Sequence, residues 1–373
     1  MSLLLTIIIF LIILAALIVV HEFGHFVVAK LFGIRVDEFA LGFPPRLFSF
    51  TKGETTYSLN AIPFGGYVSI FGENPDDEAM IGPDSGRSFV NKSKWIQVAV
   101  LLAGIFFNIL FAYVLSVAGL TNGLQPTDSY SDTSVKNIHL ALTEISADSP
   151  AAKAGLQVGD TVTTVSVGST VLTGTTLTPE AISAIISTDT TQPVVVSVLD
   201  SGTTKTFSIT PVAGVSGVAT GKVAIGVTMS LLGTVHTPFF LSLWQGAKLT
   251  WIELQAVVVG LYTFFVQIFI GHPDFSQVSG PIGIVGQVGD ASRFGLLYVL
   301  SFTALISLNL AVINLIPFPA LDGGRIFFVI IEAIKGSPIK PKVANTFNAV
   351  GFCILILLML VVTYQDIVKL IIK

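Results

Sequence analysis

The residues best suited to chemistry stand together at His21-Glu22-Phe23-Gly24-His25. Two His four residues apart lie on one face of a helix, about 6 Å apart, and can share one Zn²⁺. The Glu between them can take a proton from a metal-activated water. A catalytic zinc needs three protein ligands and one open position, so the pentad leaves one ligand to be found. HExxH alone also occurs by chance, but its setting here is unusual. Leu3 to Val20 contains no charged residue, so the pentad continues an apolar helix. Twenty residues at about 1.5 Å each span about 30 Å, the thickness of the hydrocarbon core. Imidazoles and a carboxylate at that depth are costly to bury and are functional by default.

A second candidate closes a later apolar run, at Asn314-Leu315-Ile316-Pro317-Phe318-Pro319-Ala320-Leu321-Asp322-Gly323. Pro317 and Pro319 must break that helix. Such a break is tolerated at membrane depth only where protein or a water-filled cavity satisfies the backbone. Asp322 is the natural third ligand for His21 and His25. The competing role is a cap on the helix that follows.

Composition bounds the elements that must carry these residues. Of 373 residues, 52% are hydrophobic and 11% charged, with mean hydropathy +0.82. Soluble domains carry about 25% charged residues. This is therefore an integral membrane protein with room for a soluble domain. A net charge of −4 gives no reason to expect nucleic acid. The single cysteine, Cys353, rules out an intramolecular disulfide or a cysteine-based zinc site. The first twenty residues lack the basic start and the small-residue cleavage site of a signal peptide.

The expected order is a transmembrane helix in 1–33, stopped by Gly33, then a β-loop region in 34–94. Within it Val36–Leu41, Arg46–Thr51 and Thr55–Ala61 read as strands around the turn Lys52-Gly53-Glu54. Pro63-Phe64-Gly65-Gly66-Tyr67 then bends the backbone. This region is either a connecting loop or a small sheet whose edge can pair with an extended peptide. A second span covers 95–120, and its Asn108 is expected to make a helix–helix hydrogen bond. Composition then turns to Ser, Thr, Val and Gly. Strands are expected at Ile138–Ile145, Thr161–Val167, Val194–Leu199, Lys205–Thr210 and Lys222–Met229, with a helix at Pro179–Ser187. A helix and loop in 237–290, a third span in 295–318, a turn and helix in 319–345 and a fourth span in 346–366 complete the chain. His139, His236 and His272 lie outside the apolar runs and receive no role.

Ser149-Pro150-Ala151-Ala152-Lys153-Ala154-Gly155-Leu156-Gln157-Val158-Gly159-Asp160 resembles the SPA-x-x-AGL-x-x-GD signature of PDZ domains. Residues 136–230 are therefore expected to form one PDZ domain, able to take peptide C-termini by strand addition. A plain spacer or steric filter is the alternative. Taken together, HExxH in the first apolar helix, this domain, and N-x-x-P-x-P-x-L-D-G late in the chain resemble the site-2 protease family of intramembrane zinc metalloproteases. The match is closest to its bacterial RseP-type branch. The resemblance covers essentially the whole chain, with one departure: better-known members of that branch carry two tandem PDZ domains, and this chain has room for one.

The resemblance implies Zn²⁺ on His21, His25 and Asp322, with Glu22 as catalytic base. It implies that Asn314, Pro317, Pro319, Gly65 and Gly66 serve substrate binding, with Asn314 near the developing oxyanion. It further implies single-pass membrane proteins as substrates, such as anti-sigma factors or remnant signal peptides. The rival function is a non-catalytic PDZ membrane scaffold with a structural metal site. A metal transporter would need acids or His in several helices, which the second and fourth spans lack.

Topology constrains the fold independently. His21 and Asp322 each lie near the C-terminal end of an apolar run. To share one depth, those runs must cross in the same direction, with an odd number of crossings between them. The span 95–120 supplies one. A single further crossing by 237–270 would separate the ligands, so that segment is expected as an amphipathic helix at the interface, or re-entrant. Residues 34–94 hold six Lys and Arg, 325–342 hold four, and the 113 residues of 121–233 hold only four. The positive-inside rule then puts the ligands near the cytoplasmic face and the PDZ domain outside the cytoplasmic membrane. The expected class is an α-helical membrane protein with four transmembrane helices, a small membrane-associated β-region after the first, and an inserted, mainly β, extracytoplasmic PDZ domain.

Overall fold

The computed structural model describes residues 3–73, 77–123, 136–146, 149–188, 192–200, 203–213, 223–234, 237–271, 279–337, 339 and 341–371. His236 and His272, the start of the strand expected from Lys222 and part of the 271–290 loop lie outside these residues. The chain divides into two compact units. One comprises 1–118, 243–289 and 300–367; the other comprises 119–242, 290–299 and 368–373.

The first unit opens with α1, Leu3–Leu31. Its end is a Schellman motif: Gly33 N–H donates to the Lys30 carbonyl and Ile34 N–H to the Ala29 carbonyl. Gly33 takes φ 65° there, which a side chain would resist. The chain next forms β1 (Val36–Lys52) and β2 (Thr55–Ile70). Each folds on itself, so that 36–43 pairs with both halves of β2. Leu41 faces Leu59 on one side and Gly66 on the other, while Phe48 also faces Leu59. The result is an antiparallel sheet in the order 46–52, 55–60, 36–43, 66–70. The expected bend at Pro63–Tyr67 thus continues into a strand, 66–70, at the sheet's edge.

The short helix α2 (Asp77–Ile81) precedes α3 (Lys94–Thr121). In the second unit, β3 (Lys136–Ile145), β4 (Thr161–Val167), β5 (Thr170–Thr173), β6 (Val194–Asp200), β7 (Thr203–Ile209) and β10 (Val227–Thr234) form one sheet. Its order is β10-β3-β4-β6-β7, with β5 on β4, and β8 (Val212–Ala213) pairs with β9 (Val223–Ala224) separately. The strand expected at 222–229 is split between β9 and β10 by Gly226, which takes φ 83°. Helices α4 (Pro150–Ala154) and α5 (Pro179–Thr188) accompany the sheet. Ser149 caps α4 by accepting from Ala152 N–H, and Gly155 closes it in the left-handed region. Asp160 then accepts from Gln157 N–H at 3.0 Å.

The remaining helices are α6 (Phe239–Ile270), α7 (Pro281–Arg293), α8 (Leu296–Leu315), α9 (Asp322–Lys335) and α10 (Pro341–Ile371). Among the described residues, five helices are long and apolar enough to cross a membrane: α1, α3, α6, α8 and α10. That is one more than the four spans expected. The addition is α6, the least apolar of the five. Its Gln, Lys and Glu are good helix formers, so polarity alone does not interrupt it.

Contacts within the first unit trace the path of α6. Tyr113 donates to the Leu243 carbonyl at 3.3 Å, and Gly246 abuts Val117. Val257 packs with Ala112, Ala304 and Leu308. The later turns line an apolar cavity of about 650 Å³ with Ile313 of α8, Ile316 and Leu321 of the turn that follows it and Leu355 of α10. The stretch Ser279–Gly283 leads into α7, where Asp366 of α10 accepts from Gly283 N–H at 2.8 Å. A carboxylate at that helix N-terminus complements its dipole.

Candidate metal centre

Helix periodicity places His21 and His25 one turn apart on α1, and their Nε2 atoms lie 3.2 Å from each other. Asp322 arrives from the other end of the sequence. Its Oδ2 lies 3.1 Å from His21 Nε2 and 3.4 Å from His25 Nε2. The loop that delivers it is tightly folded. Phe318 N–H reaches the Ile316 carbonyl at 2.7 Å, and Ala320 adopts φ 70°, a conformation that costs a non-glycine residue roughly 1–2 kcal/mol. Gly323 and Gly324 have no room for a Cβ because the backbones of Leu315, Ile316 and Phe318 press on them. Leu321 occupies the N-cap position of α9, no side chain caps that helix, and Asp322 is its first residue.

The outer nitrogens of both rings are engaged. His25 Nδ1 lies 2.8 Å from the Val100 carbonyl, an acceptor, and must carry the proton. His25 Nε2 then presents a lone pair. His21 Nδ1 lies 3.1 Å from the Asn108 amide. Asn108 therefore makes the inter-helix bond expected of it, but its partner is a ring of the site. Asp322 Oδ2 is buried without a hydrogen-bond partner. Lone pairs converging on one point at these separations repel unless a cation lies between them. Two imidazoles and a carboxylate, with ligating atoms within 4.8 Å of one another, are the donor set of a tetrahedral zinc with one open position.

Helices α1 and α3 approach closely enough to make this arrangement. A Cβ on Gly24 would meet the Ala103 backbone, and one on Gly104 would run into the His25 and His21 rings. The open side is a cavity of about 500 Å³, lined by His21, Glu22, His25, Asp322, Gly66, Tyr67 and Val68 of the sheet edge, Arg325 and Asn348. Val68 N–H donates to the Glu22 carboxylate. Gly66 is pressed against Ile18 and Glu22. Glu73 and Arg325 form an ion pair at the cavity wall.

The other candidates fall around this centre. Gly65 holds the Phe43 ring, and Pro319 sits in a notch at Gly351. Asn314 is buried in the last turn of α8 and is not among the described residues lining the cavity, nor is Pro317. Tyr67 closes the Pro63–Tyr67 stretch that the sequence singles out, whereas sequence reading missed Val68, Arg325 and Asn348. Arg325 lies in the Asp322-Gly-Gly-Arg run and could have been found there. No local pattern marks the others.

The family model described as Peptidase family M50 matches residues 9–358. The chain belongs to that family. It is similar to a putative zinc metalloprotease of Clostridium acetobutylicum, 32% identical over 94% of each chain. A putative zinc metalloprotease of Clostridium perfringens is 33% identical, over 95% of this chain and 96% of the relative. The zinc metalloprotease RasP of Oceanobacillus iheyensis is 28% identical, over 98% and 99% respectively. Membership of M50, the site-2 protease family, and the long apolar helices make this a multi-pass membrane protein.

Proposed function

We propose that this protein is an intramembrane zinc metalloendopeptidase that cuts single-pass membrane proteins within their spans. The observation that carries the reading is the meeting of His21, His25 and Asp322 beside Glu22 in a cavity walled by a sheet edge. When bound, zinc supplies a Lewis acid and lowers the pKa of a coordinated water.

The chain's own residues do the rest. His21, His25 and Asp322 hold the ion. Glu22 takes the proton of the attacking water and passes it to the leaving amine. A peptide bond inside a helix is hidden by its own hydrogen bonds, so the substrate must be unwound and held extended. The edge strand 66–70 offers that surface by strand addition, and Gly66 lets it lie against α1 at Ile18 and Glu22. Asn314, in the last turn of α8, and the Pro317–Pro319 turn lead into the opposite wall at Ala320, Leu321 and Asp322. The apolar cavity between α6, α8 and α10 shares Leu321 with the metal cavity and suits the part of the substrate that stays helical.

Four crossings with a re-entrant α6 reconcile the fifth apolar helix with a shared metal depth. Helix α6 begins beside the C-terminal half of α3 and descends to the level of Leu321. At Gly280 the chain is again beside Val362 and Asp366, in the C-terminal half of α10, so no net crossing is made. The loop charges support a cytoplasmic-side metal, in the bacterial cytoplasmic membrane, with the second unit outside. That unit reads as a PDZ domain: its motif is capped at Ser149 and Gly155, and β10 lies at the sheet's edge beside α5, as peptide-end capture requires. A non-catalytic scaffold with a structural metal would have no use for the base at Glu22.

The test is co-expression with candidate single-pass proteins. Glu22→Gln should keep zinc and abolish cleavage of a substrate that the wild type cuts. Equal cleavage by both would sink the protease assignment.

A further inference from the structure

Asn108 is wholly buried in the middle of an apolar helix, and its Oδ1 has no hydrogen-bond partner. A buried amide atom left without a partner is costly at that depth. The other amide atom lies 3.1 Å from His21 Nδ1. Amide nitrogen and oxygen are assigned from their hydrogen bonds rather than from shape, because the group is nearly symmetric.

The two possible settings differ sharply. With Nδ2 toward the ring, Nδ1 must be the acceptor and Nε2 must carry the proton. That N–H would point at His25 Nε2 and Asp322, where the ion belongs. With the amide turned over, Oδ1 accepts from Nδ1–H. His21 Nε2 then presents its lone pair beside that of His25, and the amide nitrogen takes the place of the unpartnered oxygen. The rotation clears the N–H from the metal position, which is what ligation by both rings requires.

We infer that Asn108 is a positioning residue: its amide oxygen holds His21 in the tautomer that binds metal. The inference rests on the zinc reading above. It also gives α3 a common purpose along one face. The Val100 carbonyl serves His25, Gly104 makes room for both rings, and Asn108 serves His21. These positions recur at intervals of four, which keeps them on one side of the helix. The Asn108 backbone carbonyl is engaged separately, accepting from Ser307 Oγ of α8 at 2.8 Å. The link between α3 and α8 can therefore be cut without touching the amide.

The test measures zinc affinity of the full-length protein in detergent by chelator competition, with the absorption spectrum of the Co²⁺-substituted protein as a second readout. Asn108→Asp keeps an acceptor of the same shape and should retain wild-type affinity and spectrum. Asn108→Leu fills the same space without an acceptor. It should weaken zinc binding by about 10–100-fold, the usual effect of losing such an outer partner, and shift the Co²⁺ spectrum. Binding should not vanish, because His25 and its Val100 carbonyl are untouched. Asn108→Ala replaces the leucine variant if that protein fails to accumulate. Ser307→Ala should leave affinity unchanged, which separates the amide from helix packing. Wild-type affinity in the leucine and alanine variants, or an equal loss in the aspartate variant, overturns the inference. Zinc that survives His21→Ala in the wild-type background overturns the metal-site reading itself, and this inference with it.

Discussion

In the contact between α1 and α3, the closest residues are glycines and polar side chains. Gly24 meets the Ala103 backbone, Gly104 meets two imidazoles, and Asn108 is fully buried. In the β3–β10 unit the closest residues are Leu142, Val162, Val165, Val194, Val196 and Val198, all nearly inaccessible. The second interior follows the ordinary rule that apolar area removed from water drives folding. The first cannot, because lipid is as apolar as leucine and offers no hydrophobic gain between helices. There, close backbone approach and satisfied polar groups must supply the association. One chain thus uses two kinds of interior, and only the membrane kind can double as a metal site.

The strongest way to break the comparison is Gly104→Leu. Its side chain enters the space of the His21 and His25 rings. Metal analysis of the purified variant should find essentially no zinc, while protease-resistant fragments from 136–234 should persist. Full zinc occupancy would mean that α1 and α3 do not meet at Gly104.

Leu142→Ala is the reciprocal change. Removing a core side chain that is 1% exposed should cost about 2–5 kcal/mol in that unit, read as earlier proteolysis of its strands under denaturant. Zinc content should stay at the wild-type value. A coupled loss of zinc would show that the two interiors are not energetically separate.

The smallest effect belongs to the exposed ion pairs beside the metal half. Glu54 accepts from Arg87 and from Lys30, and those hydrogen bonds hold its carboxyl down to about 2. A depressed carboxylate contributes stability that is present above its unfolded value near 4.5 and is lost as pH falls towards about 2. Glu54→Gln should therefore lower the melting temperature slightly at neutral pH, within about 1 kcal/mol for so exposed a group. The difference should shrink as the pH drops below 4.5. A difference that grows on acidification would mean the pairing does not form in solution.

Local patterns were enough for much of this architecture. Helix geometry alone puts His21 and His25 side by side. An acid after two helix-breaking prolines singled out Asp322. The Ser149–Asp160 stretch folds as its residues dictate, because each cap and turn is satisfied within a few residues. Strand positions at 161–167 and 194–199 follow from alternation. The parity of apolar runs required that the stretch between the second and third spans make no net crossing. It could not say that α6 would form as one continuous helix against α3 and α8.

What only the tertiary structure decided are the partners that lie far away in sequence. Asn108 and His21 are 87 residues apart, and Val100 and His25 are 75 apart. An asparagine in an apolar run announces some hydrogen bond, not its partner. The folding of 36–43 between both halves of β2 is likewise invisible locally, since each segment alone pairs equally well with one neighbour. Gly66 beside Glu22 reads as a loop glycine until α1 is laid against it. Sequence carries the spacing of groups along one element, because bond geometry sets it. Which elements approach, and through which glycines, depends on the packing of the whole unit.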